Sequence, residues 1–210
     1  MITLKSAREI EAMDRAGDFL ASIHIGLRDL LKPGVDMWEV EEYVRRRCKE
    51  ENVLPLQIGV EGSIMDYPYA TCCGLNDEVA HAFPRHYILK DGDLLKVDMV
   101  LSEPIDKSVL DVSKLDFDNV AQVKKYTESY TGGLADSCWA YAIGTPSDEV
   151  KNLMEVTREA MYLGIEQAVV GNRIGDIGAA IQEYAESRGY GVVRDLVGHG
   201  VGPTMHEEPM

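Results

Sequence analysis

The chain is short of cysteine, of positive charge and of long apolar runs, and each shortage closes off a class of explanation. Its four cysteines, Cys48, Cys72, Cys73 and Cys138, show neither the spacing of a disulfide framework nor a zinc-type CxxC pair. Neighbouring Cys72 and Cys73 would make a strained bridge at best, so the pattern points to reduced thiols and a cytoplasmic setting. Lysine and arginine number 21 against 36 aspartates and glutamates, a formal net charge of −15. A phosphate backbone is repelled by such a surface unless a local basic patch exists. The basic run Arg45-Arg46-Arg47 sits among Glu41, Glu42, Glu50 and Glu51, which reads as a solvated helix face with i,i+4 pairs. Direct nucleic-acid binding is therefore not expected. No apolar stretch approaches the roughly 20 residues of a membrane span. The first five residues run into a polar helical pattern with no signal-peptide character.

What remains is an ordinary globular composition, 45% hydrophobic and 27% charged over 210 residues. That length suits one domain with a substantial core, taken as 1–210. Apolar residues at Ile10, Met13, Ala16, Phe19, Leu20, Ile23, Leu27 and Leu30 predict a helix over 5–31, capped by Thr3 or Ser6 and ended by Lys32-Pro33-Gly34. A second helix is predicted over 37–50 with Asp36 as its N-cap. Strands are predicted at 57–60, 69–73, 94–101 and 134–143, with turn chemistry at Gly74, Pro84 and Asp91-Gly92-Asp93.

The pattern then repeats, with helices over 147–170 and 174–187 and a strand at 192–196. Two helix–helix–strand halves on one antiparallel sheet suit an α+β fold with internal duplication. Residues 102–132 differ: they are mixed in charge and few are large and apolar. They read as a surface insertion between two core strands, with Val120, Val123 and Tyr126 able to support a short amphipathic helix.

Candidate chemistry lies where ionisable residues interrupt apolar strands. Asp98 lies within Leu94–Leu101, and Asp136 within Leu134–Ile143, where an unpaired carboxylate is costly unless a cation or partner meets it. His199 is flanked by Gly198 and Gly200, which allow close backbone approach to a ligand. Two aspartates and a histidine make a hard, oxygen-rich site suited to manganese, iron or cobalt. His81 and His206 sit in distinctive surroundings, whereas His24 and His86, on a helix and in a charged loop, carry no assigned role.

Five strings, NDEVAHAFP at 76–84, KVDMV at 96–100, ADSCWAYAIG at 135–144, GHGVG at 198–202 and HEEP at 206–209, occur in this order. Together they resemble the type I methionine aminopeptidases, of the creatinase or pita-bread fold, over nearly the whole chain outside 102–132. The resemblance implies a two-metal hydrolase that removes the N-terminal methionine of nascent proteins, at the ribosome or after it. It implies Asp98, Asp136 and His199 as metal ligands and His81 and His206 as catalytic groups at the scissile peptide. It also implies that Tyr67 and Cys72, with His81, contact the substrate, Tyr67 and Cys72 lining the methionine side-chain pocket. Two divalent ions, cobalt, manganese or iron, are the implied cofactors.

The departures from the family pattern carry their own expectations. The usual pattern joins the two aspartate strands by a short hairpin; the 102–132 insertion resembles the streptococcal branch. Glu61 and Ile64 stand where Cys and Tyr are common. The family's two glutamate ligands lie beyond HEEP, and Glu207 and Glu208 do not correspond to them. The final strands of the sheet are expected to be missing, with a complementary C-terminal chain as a partner. Alternatives on the same fold are an Xaa-Pro peptidase, a creatinase-like hydrolase and a non-catalytic binding protein.

Overall fold

The computed structural model describes residues 2–210. Among them are five α-helices, a 3₁₀ turn at Val112–Lys114 and a three-stranded antiparallel sheet. Helix α1 (Ala7–Leu30) starts from a full capping box: the Ser6 hydroxyl accepts from the Glu9 amide, and the Glu9 carboxylate accepts from the Ser6 amide. Its stripe of Ala12, Ala16, Phe19, Leu20, Ile23 and Leu27 is buried, at the spacing of one helix face. Helix α2 (Trp38–Glu51) is shifted slightly from its predicted bounds. Asp36 is not its N-cap. Met37 holds that position without a side-chain bond, and Asp36 accepts from the amides of Trp38 and Tyr87 and pairs with His86.

Strands β1 (Cys72–Leu75), β2 (Leu94–Ser102) and β3 (Leu134–Ala142) lie in that order across the sheet. Leu95, Val97, Met99 and Leu101 of β2 are buried on the face packed against α1. Alternation puts Lys96 and Asp98 on the opposite, more open face. The predicted strand at 57–60 is absent: those residues form a turn-rich loop whose bonds go to residue 67 and to β2. The strand predicted at 192–196 is absent too. Residues 191–198 are irregular and mostly exposed, and a strand needs a paired neighbour to satisfy its backbone. The second half thus holds helices α4 (Asp148–Glu166) and α5 (Ile174–Ser187) without the matching strand among the described residues.

The connection from β2 to β3 is more firmly seated than a surface loop. Val112, Leu115, Phe117 and Val123 are all buried in the main core, so a few well-placed apolar residues suffice to dock it. Asn52, in the left-handed conformation at the end of α2, anchors it by donating to the carbonyls of Ile105 and Leu110 and accepting from the amide of Val112. The predicted short helix is α3 (Val120–Thr127), with Val123 inward and Tyr126 exposed.

The arginine run divides its labour. Arg46 and Arg47 pair with Glu50 on the outer face, as read from the sequence. Arg45 turns inward against Glu41, whose side chain is fully buried and also accepts from the Ala70 amide and the Thr71 hydroxyl. All four cysteines are free thiols, and among the described residues no helix is long and apolar enough to cross a membrane.

Candidate metal and peptidase site

The open face of the sheet gathers the residues singled out from the sequence. Asp98 is opposite Cys138 on β3 and Cys72 on β1, while Asp136 is opposite Val100. Because side chains alternate with period two, Asp98 and Asp136 are diagonal neighbours on one face. Cys138, two residues after Asp136, shares that face by the same rule, and the sequence reading passed over it.

The glycine-flanked segment places His199 above β3. Its Nδ1 lies 3.0 Å from the Gly200 carbonyl, and its Nε2 lies 3.6 Å from Oδ2 of Asp136. With Nδ1–H donated to that carbonyl, Nε2 presents a lone pair toward the carboxylate. Two electron-pair donors facing each other suit a cation between them. His206 packs against His199 with the rings tilted by 56° and their centres 4.4 Å apart, held by the short Gly200–Glu207 backbone pairing. Glu207 points away, into an ion pair with Lys5 at 2.6 Å, in keeping with its exclusion from the ligand set.

Electrostatics support the same grouping. Burial pushes the Asp136 carboxyl up to about 6, and the negative charge of Asp98 adds to the rise, with His199 opposing it. Burial also raises Asp98, against the pull of His81, the Met99 amide and His199. Burial, then His199 and His81, lower His206, which favours its neutral imidazole. A cation would relieve both carboxyls of their mutual repulsion, and the donor set of two carboxylates and an imidazole fits a hard or borderline divalent ion. Among the described residues, no three His, Cys, Asp or Glu side chains converge tightly enough to enclose a metal by themselves.

Tyr67 and Cys72 are close neighbours at the edge of this face. The Tyr67 hydroxyl donates toward the carbonyls of Thr71 (3.0 Å) and Ala82 (3.3 Å), and burial with the nearby Cys72 thiol raises its pKa. Gln57 donates to Cys72 Sγ at 3.1 Å, a contact with no local signal in the chain to announce it. Tyr67, Tyr69 and Phe83 pack edge to face, which links Tyr67 to the loop carrying His81. His81 itself is exposed and has φ = 55°, an uncommon conformation for a residue with a side chain. His24 and His86 lie away from the open face: His24 is buried beneath β3 on Tyr141 and Trp139, and His86 pairs with Asp36.

The model of metallopeptidase family M24 matches residues 11–102 and 125–210 and leaves 103–124 between its two stretches. A methionine aminopeptidase of Clostridium acetobutylicum is 36% identical over 210 residues, spanning 100% of this chain and 72% of that protein. A solved methionine aminopeptidase from Streptococci, described with a novel structural motif and possible post-translational modification, is 88% identical with a TM-score of 0.90. It covers 100% of this chain, which spans 73% of that one. An X-Pro aminopeptidase of Thermotoga maritima, 21% identical with a TM-score of 0.66, covers 98% of this chain, which spans 49% of it. That last likeness is one of fold alone.

Proposed function

From the premise that this chain belongs to metallopeptidase family M24, and within it to the methionine aminopeptidases, we propose how its open sheet face removes an N-terminal methionine. The fold is the pita-bread fold of that family, and the activity is metal-dependent hydrolysis of the first peptide bond. The observation that carries the site assignment is the approach of His199 Nε2 to 3.6 Å from Asp136, on the face that Asp136 shares with Asp98.

Asp98, Asp136 and His199 would hold the metal, and we infer two ions, of cobalt, manganese or iron, as the full complement. What such ions supply is Lewis acidity toward the substrate carbonyl and a nucleophilic water near neutral pH. Asp98 and Asp136 serve by remaining ionised against their burial once a cation is present. His206, favoured in its neutral form, offers an N–H to the carbonyl oxygen as negative charge develops on it. His81 takes the other side of the scissile amide, hydrogen-bonding its nitrogen and delivering a proton to the departing amine. Tyr67 and Cys72 border the recess for the methionine side chain. Further carboxylate donors from outside the described trio belong to the reading, since those three do not enclose an ion. A complementary C-terminal chain is the source we propose.

The substrates are nascent protein N-termini, which we place in the cytoplasm and near the ribosome. Free thiols fit that reducing setting. The test is release of methionine from a Met-Ala-Ser peptide by this chain together with the complementary C-terminal chain and added manganese or cobalt, beside a chelator control. Chelator-sensitive release is the expected result. Release that persists in chelator would overturn the metal mechanism.

A further inference from the structure

The β2–β3 connection reaches across the molecule to the loop that carries Tyr67. That loop, residues 57–68, closes on itself through two backbone bonds, Gly59 N–H to the Tyr67 carbonyl and Tyr67 N–H to the Val60 carbonyl, both 2.8 Å. Helix α3 grips it on both of its limbs. On one, the Thr127 hydroxyl donates to the Ile58 carbonyl at 3.1 Å. On the other, the Lys124 ammonium pairs with Asp66 at 2.8 Å, one residue before Tyr67. Between them Gly59, at φ = +92°, packs so closely on α3 that a Cβ there would lie 2.7 Å from Lys124 Cβ and 2.9 Å from its Cα. Arg45 adds a third tie, from Asp118 of the connection to the Pro68 carbonyl.

We propose that α3 is a positioning element for the methionine pocket: Lys124 and Thr127 hold the 57–68 loop and thereby set where the Tyr67 ring stands. The proposal rests on the reading of Tyr67 as a pocket residue. General packing of a surface segment would scatter its contacts, whereas these converge on the two limbs that flank one aromatic ring. Lys124 also ends the 103–124 stretch that the family model leaves unmatched, while Thr127 lies within the matched one, so the brace joins one residue outside the shared pattern to one inside it. The same loop and helix line a groove that runs from Gly59 and Thr127 to Met205 and His206, so a shift of the loop is felt beside the reacting bond.

The test combines Lys124→Ala with Thr127→Val and reads amide hydrogen exchange together with methionine release. In the double variant the Gly59 and Tyr67 amides should exchange about tenfold faster, while those of α1 and β2 keep their protection. KM for Met-Ala-Ser should rise about fivefold with kcat retained, since the chemical groups are untouched. Reversing the pair, Lys124→Asp with Asp66→Lys, should restore both values, which a merely space-filling role would not do. Unchanged exchange at Gly59 and Tyr67, loss of protection throughout α1 and β2, or a fall in kcat at constant KM would each overturn the proposal. A wild-type chain that releases no methionine even with its complementary chain and metal supplied would count against the functional reading above, and the exchange measurement would still decide whether α3 braces the loop.

Discussion

His199 Nε2 stands 3.6 Å from Asp136 Oδ2 with its other ring nitrogen turned to the Gly200 carbonyl, so one edge of the imidazole faces the carboxylate beyond direct hydrogen-bond reach. A cation between the two would be held by both, and the energetics of the buried carboxyl can be tested without turnover.

Asp136→Asn should make the metal-free chain more stable at neutral pH while abolishing metal binding. The folded value of Asp136 is raised from 3.8 to about 6, so the folded state holds this proton more tightly than the unfolded state does. Its stabilising contribution is complete below 3.8 and is lost as pH rises through about 6. The neutral amide avoids that loss, worth about 1–2 kcal/mol after allowance for partial exposure. Urea denaturation in chelator at pH about 7.5 measures it. An equal or lower midpoint for the variant would refute the account.

His24 carries the opposite dependence. It is fully buried, stacked 4.7 Å from Trp139 and 2.7 Å from the Tyr141 hydroxyl, and burial lowers its value from 6.5 to about 4. The unfolded state therefore binds the proton more tightly, and stability falls as pH drops from 6.5 toward about 4. The full loss is about 3 kcal/mol. Measured in the Asp136→Asn background, where the opposing carboxylate is gone, a flat stability profile across this window would rule it out.

Glu41→Gln should be among the costlier single changes. Glu41 is 0% exposed, and its carboxylate meets Arg45 at 2.6 Å, the Ala70 amide at 2.8 Å and the Thr71 hydroxyl at 2.6 Å. The amide keeps the volume but removes the buried counter-charge of the Arg45 guanidinium and leaves it only the exposed Asp118, a loss of about 3 kcal/mol. Thermal and urea unfolding of the variant would read it directly, and a change within about 0.5 kcal/mol would mean that the pair contributes nothing net.

His81→Ala should lower kcat by about 100-fold and leave metal content unaltered, as suits a group acting on the substrate. Metal analysis beside steady-state kinetics separates the two roles. A variant that binds less metal would make His81 a ligand.

The helix content and the chemical inventory were legible in the chain itself. Helix α1 could be read because its apolar residues recur at helical spacing and Ser6 and Glu9 supply their own cap, both local features. Asp98 and Asp136 stood out because a carboxylate in an apolar strand needs a partner whatever the fold. Other features are matters of partnership. Residues 57–60 look like a strand by composition, yet no neighbour pairs with them along a ladder, and α3 takes them up as a braced loop instead. His24 and His86 carry no distinguishing sequence context; Tyr141 and Asp36, far off in the chain, decide what they do. The residues of 102–132 look too polar to pack, and it is Asn52 and four well-placed apolar side chains that seat them. Sequence alone determined which groups could do chemistry, because residue type and local period set charge, ligand character and helix formation. Tertiary structure alone decided which of them share a face, because strand register and long-range hydrogen bonds bring together residues that the chain keeps apart.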